Sequence, residues 1–338
     1  MRQTLIIRFG ALGDLCLLAW SISRWARSAD AADQRVTLVT KAAFAPLMEN
    51  VQGIDRVIPL PEGGLGTLAS LAGKLRGEKF DTIVDAHNIL RGNLLLMLMG
   101  RSPASRLEKD TAARLALLSF SKSHHSLDQT MSHRFDALFN KLSPGKLAEN
   151  IPPLVHLRPA PDDAPPILGL APGAQWDSKR WPQEYFAELL KNHAREKGTP
   201  VRIFLGPRED QWFAGSHLES VASELPAVEI IRGKNLVQVA ALLAQCSQVV
   251  TNDSGLLHMA EAVGTPVLAF YGPTVRQFGY FPRLPGSRQL EEDMDCRPCS
   301  RNGKKECHRG DLACLKQITP DRAFKTLTEM MAAAESSS

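Results

Sequence analysis

The sequence predicts an α/β protein of two consecutive parallel-sheet domains, and three observations carry that prediction. Short apolar runs alternate with helix-length amphipathic stretches along nearly the whole chain, the pattern of βαβ units. The alternation is interrupted between 143 and 166, where Pro144, Pro152, Pro153, Pro159, Pro161, Pro165 and Pro166 crowd together. Proline is excluded from helix interiors and central strands, so this stretch reads as a linker. A length of 338 residues suits two domains of ordinary size, each with a buried core.

In the first half, a strand over 5–7 ends in a glycine-containing turn and leads to a helix over 15–27. A strand over 36–39 and a helix over 43–50 follow, then a short strand over 57–59 and a helix over 65–76. The strand 82–85 and the helix 90–99 continue the series. Beyond the linker, strands are expected over 167–170, 201–205, 228–231, 248–251 and 267–270. Helices are expected between and after them over 182–197, 211–224, 236–245 and 256–263, with a last helix near 321–333. The domains are accordingly 1–155 and 166–320, with a terminal helix and tail over 321–338. Two such sheets imply a cleft, and ligands of these folds bind outside the carboxyl ends of the strands.

Composition narrows the function. Hydrophobic residues at 44% and charged residues at 22% exclude a disordered, collagenous or coiled-coil chain. Forty Lys and Arg against thirty-six Asp and Glu give +4, too little for a dedicated nucleic-acid binder. The charge is uneven: residues 1–150 hold 19 basic and 14 acidic groups, the remainder 21 and 22. Between Ala86 and Arg134, seven basic residues and four histidines face three acids. That excess is either a solvated surface or a face for an anionic partner such as a phosphorylated acceptor or a lipid headgroup. No apolar run approaches the ~20 residues that span a bilayer. The start Met1-Arg2-Gln3-Thr4 lacks the features of a signal peptide, so a cytoplasmic protein is expected.

Three loops at strand ends hold the chemistry. In the first, Arg8-Phe9-Gly10-Ala11-Leu12-Gly13-Asp14, the glycines permit a tight turn and a close backbone approach. Their spacing is not the dinucleotide fingerprint. Asp14 suits either the first turn of the following helix or a general base at the carboxyl end of a strand. In the second, 171–182, Lys179 and Arg180 sit on a Gly-containing loop before a helix and make an anion site. Here Ser178 or Asp177 could cap the helix, and Trp181 could anchor a core. In the third, Asn252-Asp253-Ser254-Gly255 opens a helix whose first amides can bind phosphate oxygens, with His258 one turn inside. The next strand ends in a glycine turn that brings Thr274 to the same neighbourhood.

Six cysteines in a cytoplasmic chain should be thiols or metal ligands. Cys16 and Cys246 fall on apolar faces and read as core. Cys296, Cys299, Cys307 and Cys314 lie within nineteen residues, and suit either a closed structural zinc or iron site or four reduced thiols. No catalytic metal or other cofactor is indicated.

Together, Gly10–Asp14 (GALGD), Ser178–Pro182 (SKRWP) and Asn252–His258 (NDSGLLH) resemble glycosyltransferase family 9, the heptosyltransferases of lipopolysaccharide core synthesis. The likeness extends to the 85–91, 205–210 and 271–274 stretches. It implies a GT-B fold, two Rossmann-like domains with parallel sheets facing across a cleft, with the terminal helix packing back across the first domain. It also implies inverting transfer of a heptose from ADP-heptose to an anionic saccharide or glycolipid acceptor, at the cytoplasmic face of the inner membrane. By the resemblance, Asp14 is the base and Lys179 contacts the donor phosphates or sugar. Gly13, Arg180, Asp253, Ser254, Gly255, His258 and Thr274 complete the donor set, with Glu209 toward the nucleoside. Asn88 and Arg91 are the acceptor-side candidates. A transferase using another nucleotide-sugar, or a non-catalytic nucleotide-sugar-binding scaffold, would satisfy the same residues less fully.

Overall fold

The computed structural model describes residues 1–28, 33–60, 62–120, 127, 129–143, 147–157 and 165–336. The chain divides into two compact units, one made of Met1–Asp110 and Gln129–Leu154, the other of Thr111–Asp128 and Val155–Ser338. Residues 144–146 and 158–164 of the proline-rich stretch, and Lys122, His124 and His125 of the basic one, lie outside the described residues. Among the described residues, no helix is long and apolar enough to cross a membrane.

The first unit begins with β1 (Arg2–Ile7), α1 (Leu12–Ala26), β2 (Gln34–Lys41), α2 (Ala45–Met48), β3 (Arg56–Leu60), α3 (Leu65–Arg76), β4 (Thr82–Asp85), α4 (Leu90–Met99) and β5 (Ser105–Arg106). Its strands form one parallel sheet in the order β3-β2-β1-β4-β5. Leu5, Ile6 and Ile7 are all fully buried, as a central strand covered on both faces requires. Pro59 falls on the edge strand β3, where a missing N–H costs least. The chain then passes through α5 (Thr111–Phe120), which groups with the second unit, and returns with α6 (Met131–Asn140). Met131, Phe135, Leu138 and Phe139 make the buried stripe of α6, and Phe139 stacks on Trp25 of α1 at 5.1 Å.

In the second unit, β6 (Ile167–Ala171), α7 (Gln183–Glu196), β7 (Val201–Phe204), α8 (Asp210–Phe213), α9 (His217–Glu224) and β8 (Val228–Ile231) come first. Then follow α10 (Leu236–Ala244), β9 (Cys246–Asn252), α11 (Gly255–Ala262), β10 (Val267–Tyr271), β11 (Arg288–Glu291), α12 (Ala313–Lys316) and α13 (Pro320–Glu335). The parallel sheet runs β11-β10-β9-β6-β7-β8, the doubly wound order. Cys16 and Cys246 are buried, as expected of core positions.

Two expectations change. The single helix over 211–224 is two, because Gly215 takes φ +72° and the Ser216 hydroxyl then caps α9 by accepting the Glu219 N–H at 3.1 Å. Helix α1 starts at Leu12, so Gly13 and Asp14 lie inside its first turn behind the extended residue Ala11. The terminal helix, α13, is amphipathic. Ala323, Leu327, Met330 and Met331 bury its apolar stripe in the second unit's core with Leu189 and Leu190 of α7.

In each sheet the strand order reverses beside the first strand, between β1 and β4 and between β6 and β9. Open α/β sheets bind ligands outside the carboxyl ends of strands at that switch point. The loops that leave those ends are 8–14 and 86–89 in the first unit, and 172–182 and 253–254 in the second.

Candidate active-site loops

In the second unit one side chain ties the two switch-point loops together. Asn252, fully buried at the end of β9, accepts the Trp181 N–H through Oδ1 at 3.0 Å and donates from Nδ2 to the Pro172 carbonyl at 2.7 Å. Trp181 is a core anchor, the simpler of the roles its loop offered. Its ring stacks on Phe270 at 4.3 Å and its Nε1 donates to the Ile318 carbonyl at 2.8 Å. Both ends of the 172–181 loop are thereby fixed, and Lys179 inside it is carried to Asp253.

The Lys179 Nζ lies 2.6 Å from Asp253 Oδ2, and the Thr274 hydroxyl donates to the same oxygen at 2.7 Å. Lys179 and Thr274, from two other loops, thus converge on the Asp253 carboxylate, with the Lys179 side chain only 14% exposed. Immediately after Asp253, Ser254 is the extended N-cap of α11, and its side chain accepts none of the helix's first amides. Those amides and the helix dipole favour an anion beside the Lys179 ammonium. Asp253 is therefore not the helix cap, and neither Ser178 nor Asp177 caps α7, whose N-cap is Pro182.

Arg180 braces its own loop. It donates from Nε to the Ala174 carbonyl at 3.1 Å, pairs with Asp177 at 2.7 Å and lies over the Trp212 ring. Glu209 links the ends of β6 and β7: its carboxylate accepts the Gly206 N–H and fills the space beside Gly173. A Cβ at Gly173 would run into the Glu209 carboxylate and displace that side chain. His258 is buried in α11, its ring 6.1 Å from that of Tyr280.

In the first unit, Asp14 meets Arg8. The Arg8 Nη2 is 2.6 Å from Asp14 Oδ2, while Nε donates to the Gly10 carbonyl at 2.8 Å and Nη1 to the Ala86 carbonyl at 2.6 Å. The buried guanidinium therefore closes the 8–14 loop on itself, aims the Asp14 carboxylate and ties the loop to the end of β4. Phe9 adds a second tie, its N–H donating to His87 Nδ1 at 3.3 Å. Burial first, and then the positive charges of Arg8, Lys109 and Lys41, push the His87 pKa down to about 4, against the opposing pull of Asp14. The imidazole is neutral at pH 7, with Nδ1 as its acceptor. Asp85 holds this turn by accepting the His87 and Asn88 N–H groups at 3.1 and 2.7 Å. Asn88 and Arg91 stand at the same strand end, donating to the carbonyls of Leu107 at 2.9 Å and Gly63 at 3.1 Å.

The sequence pattern alone did not single out Arg8, His87 and Asn252. For Arg8 a signal existed, a cation six residues before an acid across a glycine turn.

The four clustered cysteines are in no disulfide and sense one another's charge. Among the described residues, no group of three or more His, Cys, Asp or Glu is arranged to hold a metal ion. Two sulfurs are otherwise engaged. Cys314 is drawn into the hydrophobic core, where burial pushes its thiol up to about 11 against the pull of Arg297. Burial also acts on Cys307, but the N–H groups of Leu312, Arg309 and Gly310 outweigh it and hold that thiol below its ordinary value.

A family model for glycosyltransferase family 9 (heptosyltransferase) matches residues 68–309. The chain belongs to glycosyltransferase family 9. The family match covers the Lys179, Asp253 and Thr274 loops, and Asp14 precedes it. Among curated relatives, a lipooligosaccharide heptosyltransferase 2 of Haemophilus influenzae is 35% identical over 171 residues. That stretch spans 49% of this chain and 48% of the relative, about half the length of each. A lipopolysaccharide heptosyltransferase 1 of Pseudomonas aeruginosa is 27% identical over 78% of this chain and 77% of its own. A solved Escherichia coli heptosyltransferase, bound to ADP-2-deoxy-2-fluoro heptose, shares the fold at TM-score 0.73 and 21% identity, over 97% of this chain and 99% of that one.

Proposed function

We propose that this family 9 chain is an inverting glycosyltransferase that moves a heptose from ADP-heptose to an anionic lipopolysaccharide inner-core acceptor. The observation that carries the donor half is the Lys179–Asp253–Thr274 cluster beside the side-chain-free start of α11. It offers a part-buried cation and oriented amides to a diphosphate. Heptose, ADP and lipopolysaccharide are supported by what the relatives are named for and by the ligand of the E. coli enzyme.

In this reading Asp14, aimed by Arg8, takes the proton of the acceptor hydroxyl. The acceptor oxygen forms its bond to the sugar C1 as the C1–O bond to ADP breaks on the opposite face. The electron pair of that bond leaves with the diphosphate. Lys179 and the α11 amides stabilise the charge that develops on it. A single in-line displacement needs one base and no covalent carboxylate. Glu209, which fills the turn between β6 and β7, is assigned to the nucleoside, and Asn88 and Arg91 to the acceptor. A glycolipid acceptor would bring the protein to the cytoplasmic face of the inner membrane.

The test is ADP release from ADP-heptose with a heptose-free inner-core acceptor, compared between the wild type and Asp14→Asn. Loss of a general base should slow transfer by about 100-fold or more, with ADP binding by calorimetry unchanged. Transfer by Asp14→Asn at the wild-type rate removes Asp14 from the role. Binding of UDP- or GDP-sugars in preference to ADP-heptose overturns the donor, and no binding of any of them overturns the enzyme reading.

A further inference from the structure

The cysteine-rich segment touches both partners of Asp253. Its Gly303 is buried between the exposed residues Asn302 and Lys304, with φ +86°. A Cβ built there would stand 2.7 Å from Lys179 Cγ and 2.9 Å from both Cδ and Cε. The bare glycine backbone therefore lies flat along the aliphatic stem of Lys179. The residue before that lysine fastens the contact, the Ser178 hydroxyl donating to the Gly303 carbonyl at 2.5 Å. On the segment's own side, the buried Ser300 hydroxyl accepts the Gly303 N–H at 2.9 Å and closes the turn.

The other partner, Thr274, is held from the same segment. Arg297, whose side chain is 5% exposed, donates from Nε to the Gly272 carbonyl at 2.6 Å and from Nη2 to the Thr274 carbonyl at 2.7 Å. Its charge is met by Glu291 at 2.9 Å. The Cys299 N–H donates to the Pro273 carbonyl at 3.2 Å. One loop, 297–303, thus backs the lysine stem with its glycine and the threonine turn with its arginine.

We propose that Gly303, with Ser178, positions Lys179 for the donor diphosphate: the glycine supplies a flat wall that fixes the lysine's course, and the serine fastens that wall. Both are positioning residues that act through Lys179. The inference rests on the assignment of Lys179 to the donor.

Calorimetric binding of ADP to the full-length chain tests it. Gly303→Ala and Ser178→Ala should each weaken ADP binding by about fivefold or more, part of what a misplaced charge-assisted contact forfeits. Gly310→Ala is the control. Gly310 has φ +74° in the same segment, with no atom within 4 Å of a built Cβ, so it carries the same backbone strain without reaching Lys179. It should bind ADP as the wild type does. In the Lys179→Ala background, Gly303→Ala and Ser178→Ala should add nothing, since coupled residues are non-additive. A merely structural role would cost affinity in both backgrounds. Should Gly303→Ala fail to fold, Ser178→Ala, which leaves the glycine in place, decides alone. Wild-type ADP affinity in Gly303→Ala or Ser178→Ala, equal losses in both lysine backgrounds, or an equal loss in Gly310→Ala overturns the inference. Wild-type affinity in Lys179→Ala overturns the assignment of the lysine itself and is read separately.

Discussion

Asn252 does at the scale of one residue what an entire loop anchor would otherwise do. Its carboxamide serves one end of the 172–182 loop as acceptor and the other end as donor, at a fully buried position. Asn252→Ala should leave the Trp181 N–H and the Pro172 carbonyl without that partner, a cost of about 2–4 kcal/mol measured by urea unfolding. The same variant should lose ADP affinity, because Lys179 lies between the two tethered points. Asp14, Lys179 and Asp253 were legible in the sequence because each follows an apolar strand run in a loop marked by glycine or by polar residues. The role of Asn252 was not, since its partners are 71 and 80 positions away. A buried hydrogen bond of that span leaves no local pattern. His87 was hidden for the same reason: its Phe9 partner is 78 positions distant.

Elements with a strong periodic signal were readable to the residue. The helices Leu65–Arg76 and Leu90–Met99 and the strand Thr82–Asp85 stand where apolar spacing puts them. β5 is two residues long and cannot display a period, and β11 buries only Leu290, so neither announced itself. Helix α6 did carry a stripe, Met131, Phe135, Leu138 and Phe139, behind a Thr130 cap, and so was within reach of the same periodicity. Two element-scale variants check these assignments. Ser216→Ala should cost about 1 kcal/mol through the cap of α9. Leu327→Ala, which empties the centre of the α13 stripe, should cost about 2–5 kcal/mol in the same unfolding assay.

For the molecule as a whole, two histidines set an acid limit. The His87 pKa is pushed from 6.5 to about 4, and burial also lowers that of His193, whose Nε2 lies 2.8 Å from the Thr199 hydroxyl. Unfolding frees both to take up protons below their ordinary value, so between pH 6.5 and 4 the unfolded chain binds more protons than the folded one. Stability attributable to His87 is complete above pH 6.5 and drains away as the pH falls toward 4. The melting temperature should drop across that window, and His87→Asn should shallow the slope.

The chain path carries a practical consequence. Residues 111–128 group with a unit whose remaining residues begin at 155, while 129–154 return to the unit already begun. Leu117 and Leu127 accordingly find their packing partner in Phe278, some 150 positions downstream. A ribosome that has delivered only the first half holds these leucines with nothing to cover them. A single proteolytic or genetic cut likewise cannot yield two self-sufficient halves. Expressed as 1–154, the N-terminal fragment should aggregate or call on chaperones, whereas mixing it with 155–338 should restore a soluble complex.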